Sequence, residues 1–122
     1  MLKLTTILLI VALLSCPAYG QPERYYQLLW CQQQNGVMEH RLDDGTRIDC
    51  LTDTHAIEFD FARKWAESIG QSLYYSHKTG KQAGVVLIGS PEELARYLPK
   101  LQAVADKYGI KVWTITREDK PQ

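Results

Sequence analysis

From residue 21 onward the apolar positions change period repeatedly, and each change marks an element. Tyr25, Leu28, Leu29 and Cys31 or Gln32 recur at helical spacing and predict a helix over 23–34. Pro22 is tolerated in its first turn, and Asn35-Gly36 closes it. Two strand-like runs, 37–42 and 47–51, flank Asp43-Asp44-Gly45-Thr46, and Asp-Gly between such runs signals a hairpin. A third strand is predicted over 55–61, where Ile57, Phe59 and Phe61 alternate with Glu58 and Asp60. The alternation puts both carboxylates on one sheet face.

The period then switches to helical over 62–77. Ala62, Trp65, Ala66, Ile69 and Leu73 form the expected buried stripe. Lys64, Glu67, Gln71, Tyr75 and Lys78 fall along the opposite, wet face. Val85-Val86-Leu87-Ile88 is continuously apolar, as a strand buried on both sides requires. Ser90 as N-cap, Pro91 at N1 and acids at 92 and 93 start a helix that runs to about Tyr108, with Pro99 as a site for a kink and Gly109 as its cap. Residues 111–116 form the last strand, and 117–122 a polar tail. The order α-β-β-β-α-β-α-β predicts an α/β fold, a three-layer α/β/α sandwich around a mixed sheet.

The first 20 residues read as a signal peptide. Lys3 precedes an apolar run over 4–14, too short for a bilayer, and Ala18-Tyr19-Gly20 offers small residues for cleavage. The rival reading is lipoprotein processing at Cys16, against which Pro17 argues. The expected protein is therefore exported, periplasmic or secreted, with one domain over 21–116 and no transmembrane span after cleavage. The whole chain carries 14 basic and 14 acidic side chains. Without the leader the balance is 13 to 14, a net charge of −1 with His neutral. Tight nucleic-acid binding by charge alone is thereby excluded, because it requires a basic excess.

Export changes the meaning of the cysteines. Cys31 and Cys50 remain after cleavage, and an even pair in an oxidising compartment is most simply a disulfide. It would close a loop of about 20 residues and contribute about 3 kcal/mol in the chain-entropy account. A redox pair would show Cys-x-x-Cys spacing. A zinc site would need partners from His40, His55 or His77, which lack ligand spacing.

The candidate chemistry lies between Arg47 and Gln71. Asp49, Glu58 and Asp60 come from neighbouring strands, and Lys64 and Gln71 from the next helix. Carboxylate oxygens have the hardness Mg²⁺ prefers. This order and spacing resemble the PD-(D/E)XK nuclease superfamily, which includes Holliday-junction resolvases and restriction endonucleases, over residues 23–89. The run from Glu58 to Gln71 is also similar to that of small exported bacterial proteins.

The resemblance implies a Mg²⁺- or Mn²⁺-dependent nuclease or phosphodiesterase acting on nucleic acid. Asp49 and Glu58 would be metal ligands, Asp60 a third, and Gln71 the polar helix residue of the site. A first-helix Glu completes some members' sites, and Glu23 is the only acid on that helix. The family expects Lys where Asp60 stands, and Lys64 is the residue able to replace it. Resolvase-like members also pair up, which implies a homodimer. The alternative is a catalytically inactive domain that keeps the fold for binding or envelope structure. In that bland reading Asp49 and Glu58 are solvent-facing strand residues, and Lys64 and Gln71 the wet side of an amphipathic helix. Tyr74 and Tyr75 cover the sheet edge or, alternatively, stack on bases. His55 is a capping residue or, alternatively, a proton carrier.

Overall fold

The computed structural model describes residues 20–118. The leader, its cleavage and lipidation signals up to Tyr19, and the tail from residue 119 lie outside the described residues. The chain folds as α1 (Glu23–Gln33), β1 (Val37–Arg41), β2 (Arg47–Leu51), β3 (His55–Phe61), a 3-10 turn (Ala62–Lys64), α2 (Trp65–Thr79), β4 (Gln82–Gly89), α3 (Pro91–Tyr108) and β5 (Lys111–Thr116). This is the predicted order. Among the described residues no helix is long and apolar enough to cross a membrane.

The five strands lie side by side in sequence order, β1 to β5. The hairpin makes β1–β2 antiparallel, β2–β3 is antiparallel, and the two crossover helices make β3–β4 and β4–β5 parallel. Val85, Val86, Leu87 and Ile88 of β4, an interior strand, are fully buried, as a strand covered on both faces must be. On one face Val85 and Leu87 pack with Ala62, Leu94, Leu101 and Ala105, under α2 and α3. On the other, Ile57, Phe59, Val86 and Ile88 pack beneath α1 with Trp30 and Trp113. The two cores account for the three layers.

Local signals operate as expected at α3. Ser90 Oγ accepts from the Glu93 N–H at 3.1 Å, and Glu93 Oε1 accepts from the Ser90 N–H at 3.1 Å, a complete capping box. Pro99 lies within a helix that runs through it to Tyr108. Cys31 and Cys50 form the expected disulfide, tying α1 to β2. Gly36 is required beside it: a Cβ there would stand 2.5 Å from Cys50 Sγ and 2.7 Å from Cys31 Sγ.

Two expectations about the second helix are corrected. Regular α-helix begins at Trp65, after the 3-10 turn, rather than at Ala62. The helix is also rotated relative to the predicted stripe. Ser68, Ser72 and Tyr75 are its buried residues, Trp65, Ile69 and Leu73 are half-buried, and Ala66 is exposed. The reason is steric. Two serines four residues apart let the helix approach the sheet closely, and each hydroxyl is satisfied locally, by the carbonyls of Trp65 and Ile69. Tyr75, one turn further on, is carried under the helix with them.

Candidate functional site

The site forms where β2 and β3 part. Their ladder pairs Cys50 with Ile57 and Leu51 with Ala56. One step further, the Asp49 carboxylate takes the place of a main-chain partner: its Oδ2 accepts the Phe59 N–H at 2.8 Å. Asp49 is therefore held by the neighbouring strand's backbone, next to Glu58. On its other side stands Glu39 of β1, whose φ of 54° is a left-handed conformation uncommon for a non-glycine residue. Gln27 of α1 fastens this corner. It is 3 % exposed, and its Nε2 donates to Glu39 Oε1 at 3.1 Å and to the Asp49 carbonyl at 2.8 Å.

Glu58 is the centre of the cluster. It is 5 % exposed, and its carboxyl is hydrogen-bonded to those of Asp49 and to Tyr75. With its amide nitrogen turned to the carboxylate, Gln71 donates to Glu58 Oε1 at 2.6 Å and Oε2 at 3.3 Å. Among the described residues, no lysine, arginine or histidine forms an ion pair with Asp49, Glu58 or Asp60. Burial, and then the adjacent Asp49 charge, push the Glu58 carboxyl up to about 10. Their shared hydrogen bond raises Glu58 and lowers Asp49, so Glu58 carries the proton and Asp49 accepts it. Asp49 is itself raised, by burial first, against the Phe59 N–H that lowers it.

Two further acids surround the pair. Asp60, 5 % exposed, is raised to about 6 by burial, with Lys64 opposing and Glu67 and Asp49 adding to the rise. Glu23, at the start of α1, is raised to about 7 by burial, then by Asp60 and Asp49, with Lys64 opposing. The charges of Asp60 and Asp49 thus reach Glu23, the only acid of the first helix. Lys64 is exposed, at the end of the 3-10 turn, and is the cation whose field reaches both Glu23 and Asp60.

The predicted residues Asp49, Glu58, Asp60, Lys64 and Gln71 thus converge on one region, though unequally. Asp49, Glu58 and Gln71 are in direct contact, whereas Lys64 and Asp60 act through their charge. The sequence reading missed Tyr75 by placing it on the wet face. It is 5 % exposed and its hydroxyl donates to Glu58. The available signal was the Ser68–Ser72–Tyr75 spacing, which marks a close-packed helix face. Tyr74, by contrast, is exposed and donates to Asp44 in the hairpin turn.

Among the described residues no group of three or more His, Cys, Asp or Glu side chains stands close enough to enclose a metal ion. The adjoining Asp49 and Glu58 carboxylates do match the sparse way Mg²⁺ is usually held, by one or two carboxylates with water and substrate phosphate completing the shell. The buried, cation-free Glu58 is the group such an ion would satisfy.

The chain matches no protein-family model, no curated protein and no solved structure.

Proposed function

We propose that this protein is a divalent-cation-dependent phosphodiesterase acting on nucleic acid, of the PD-(D/E)XK kind. The observation that carries the reading is Glu58. It is an almost fully buried acid in contact with a second acid, and among the described residues no basic side chain forms an ion pair with it. A buried carboxyl in this setting either keeps its proton or takes a cation. Mg²⁺ or Mn²⁺ bound there would supply Lewis-acid charge at the phosphoryl oxygens.

The chain's own residues would do the rest. Glu58, as a carboxylate, would be the ligand, with Gln71 and Tyr75 holding it in place. The Phe59 N–H fixes Asp49. Lys64 approaches a phosphodiester oxygen from the solvent side and steadies its charge, in the position that Asp60 cannot fill. Glu23 and Asp60, raised to about 7 and about 6, stand ready to accept a proton near neutrality. The net charge gives little long-range attraction for a polyanion, so substrate would be held chiefly at the site itself.

A second reading, an inactive domain kept for binding or envelope structure, is favoured by one observation. The protonated Glu58 already has hydrogen bonds to Asp49, Gln71 and Tyr75, so the cluster is satisfied as a closed hydrogen-bond network. One experiment separates them: cleavage of single-stranded, duplex and branched DNA and of RNA with Mg²⁺ or Mn²⁺, with Asp49→Ala as control. Cleavage lost in the variant supports the enzyme. Silence on every substrate, together with no rise in melting temperature at millimolar metal, sinks it.

A further inference from the structure

The opposite end of β3 carries a concave surface. His55 begins the strand, five residues or about 16 Å from Asp60. A cavity of 280 Å³ opens there, close to the lower end of the range for small-ligand sites, about 300–1,000 Å³. Trp30, Trp113 and His55 make its aromatic wall, and Asn35, Asp53 and Thr54 are among its polar lining. We propose that this cavity is a binding site for a neutral saccharide, independent of the carboxylate cluster.

The wall is shaped before any ligand arrives. Trp30 and Trp113 meet edge to face at 5.1 Å between centroids, and His55 meets Trp113 at 5.2 Å. Both indoles are only partly buried. Trp113 is seated on Gly84, where a Cβ would stand 2.8 Å from its ring. The His55 ring is held by Thr54 Oγ1 at 2.7 Å. Burial lowers its pKa, with Gln82 opposing and Lys111 adding to the fall, so the imidazole is neutral near pH 7.

The polar side is equally fixed. Asn35 has a φ of 53°, a left-handed conformation at the end of α1. The next residue, Gly36, is wedged against the Cys31–Cys50 disulfide. Thr52 Oγ1 accepts the N–H of His55 at 3.0 Å, which shapes the turn that presents the exposed Asp53.

This chemistry selects its ligand. Among the described residues the lining holds no lysine or arginine and includes one carboxylate, so it disfavours phosphate and carboxylate groups. Lys111 is engaged over the Trp113 ring, at 5.9 Å from its centroid. Partly exposed indoles demand an apolar face, whereas the amides, hydroxyls and carboxylate demand several hydroxyl partners. A pyranose offers both, with C–H groups on its face and hydroxyls on its rim. A nucleotide offers a flat base but brings a phosphate that Asp53 repels.

The test is NMR on the oxidised full-length protein, following the three indole N–H signals. Probes are glucose, galactose, mannose, N-acetylglucosamine, cellobiose and chitobiose at millimolar concentration, with thymidine monophosphate as the competing class. Trp65 lies in the core on the other side of the sheet and serves as the internal reference. The expected result is saturable movement of the Trp30 and Trp113 signals by at least one sugar, with Trp65 still. Asp53→Ala and Asn35→Gly, each checked for folding by its melting temperature, should each weaken binding about tenfold, the scale of one lost polar contact. Indoles unmoved by every sugar, movement that both variants leave intact, or movement by the nucleotide alone would each overturn the proposal.

Discussion

Replacing Glu58 by Gln should make the metal-free protein more stable at neutral pH and remove the share of its loss of stability with rising pH that Glu58 causes, the raised Glu23 and Asp60 keeping theirs. Gln is isosteric with the protonated acid. Its amide oxygen can accept from Gln71 and Tyr75, and its amide nitrogen can donate to Asp49. The native carboxyl is raised to about 10 from an ordinary value of 4.5. A group raised in this way contributes stability that is fully present below the unfolded value and is lost as pH rises through the native value. Between those limits the native state holds one proton that the unfolded chain has released. The slope is therefore about −1.4 kcal/mol per pH unit. At about pH 7.5 the accumulated cost is about 4 kcal/mol, an upper figure for what the substitution can recover. With Glu58 5 % exposed, little of this is screened by solvent. Set against a typical domain stability of about 5–15 kcal/mol, it is a large effect. The assay is urea unfolding of wild type and Glu58→Gln in EDTA, from about pH 5 to about pH 8. At an m-value of about 1–2 kcal/mol per molar, the two midpoints should diverge by about 2–4 M across that range. Parallel curves would refute the reasoning, because they would mean that Glu58 is ionised and solvated in the native protein.

Other expectations follow from the same geometry. Lys64→Gln removes the cation that lowers both Glu23 and Asp60, so NMR titration should find both carboxyls moved further up, above about 7 and about 6. An unmoved pair would remove Lys64 from the site. Replacing Cys31 and Cys50 together by Ala should cost about 3 kcal/mol for a loop of this length, read from denaturant midpoints. Gly36→Ala forces a methyl group against both sulfurs and should destabilise the oxidised protein by about 1–3 kcal/mol, with a smaller effect once the disulfide is reduced. Ser90→Ala breaks the capping box of α3 and should cost about 1 kcal/mol, with helix content otherwise kept in circular dichroism.

What could be read in the chain was local or periodic. The alternation of apolar and acidic residues over His55–Phe61 and the apolar run at 85–88 marked strands, although in the folded β3 residues 56–60 are all buried, the two acids with them. Ser90, Pro91 and Glu93 marked the start of α3 because capping involves neighbours only. Asp49, Glu58 and Gln71 were grouped by the resemblance to PD-(D/E)XK nucleases; periodicity by itself gave only the elements that carry them.

The tertiary structure decided the rest, since it depends on distances between elements. Apolar periodicity gave the identity of α2 but misjudged its rotation. Packing against the sheet favours the small Ser68 and Ser72 over the larger Trp65 and Ile69, and this turns Tyr75 inward onto Glu58. The register of β2 against β3 sets Asp49 beside Glu58, and the approach of α1 adds Glu23. Protonation is the clearest case of all. A sequence specifies a glutamic acid, but its charge state is set by the water it loses and the carboxylate it meets, and both exist only once the chain has folded.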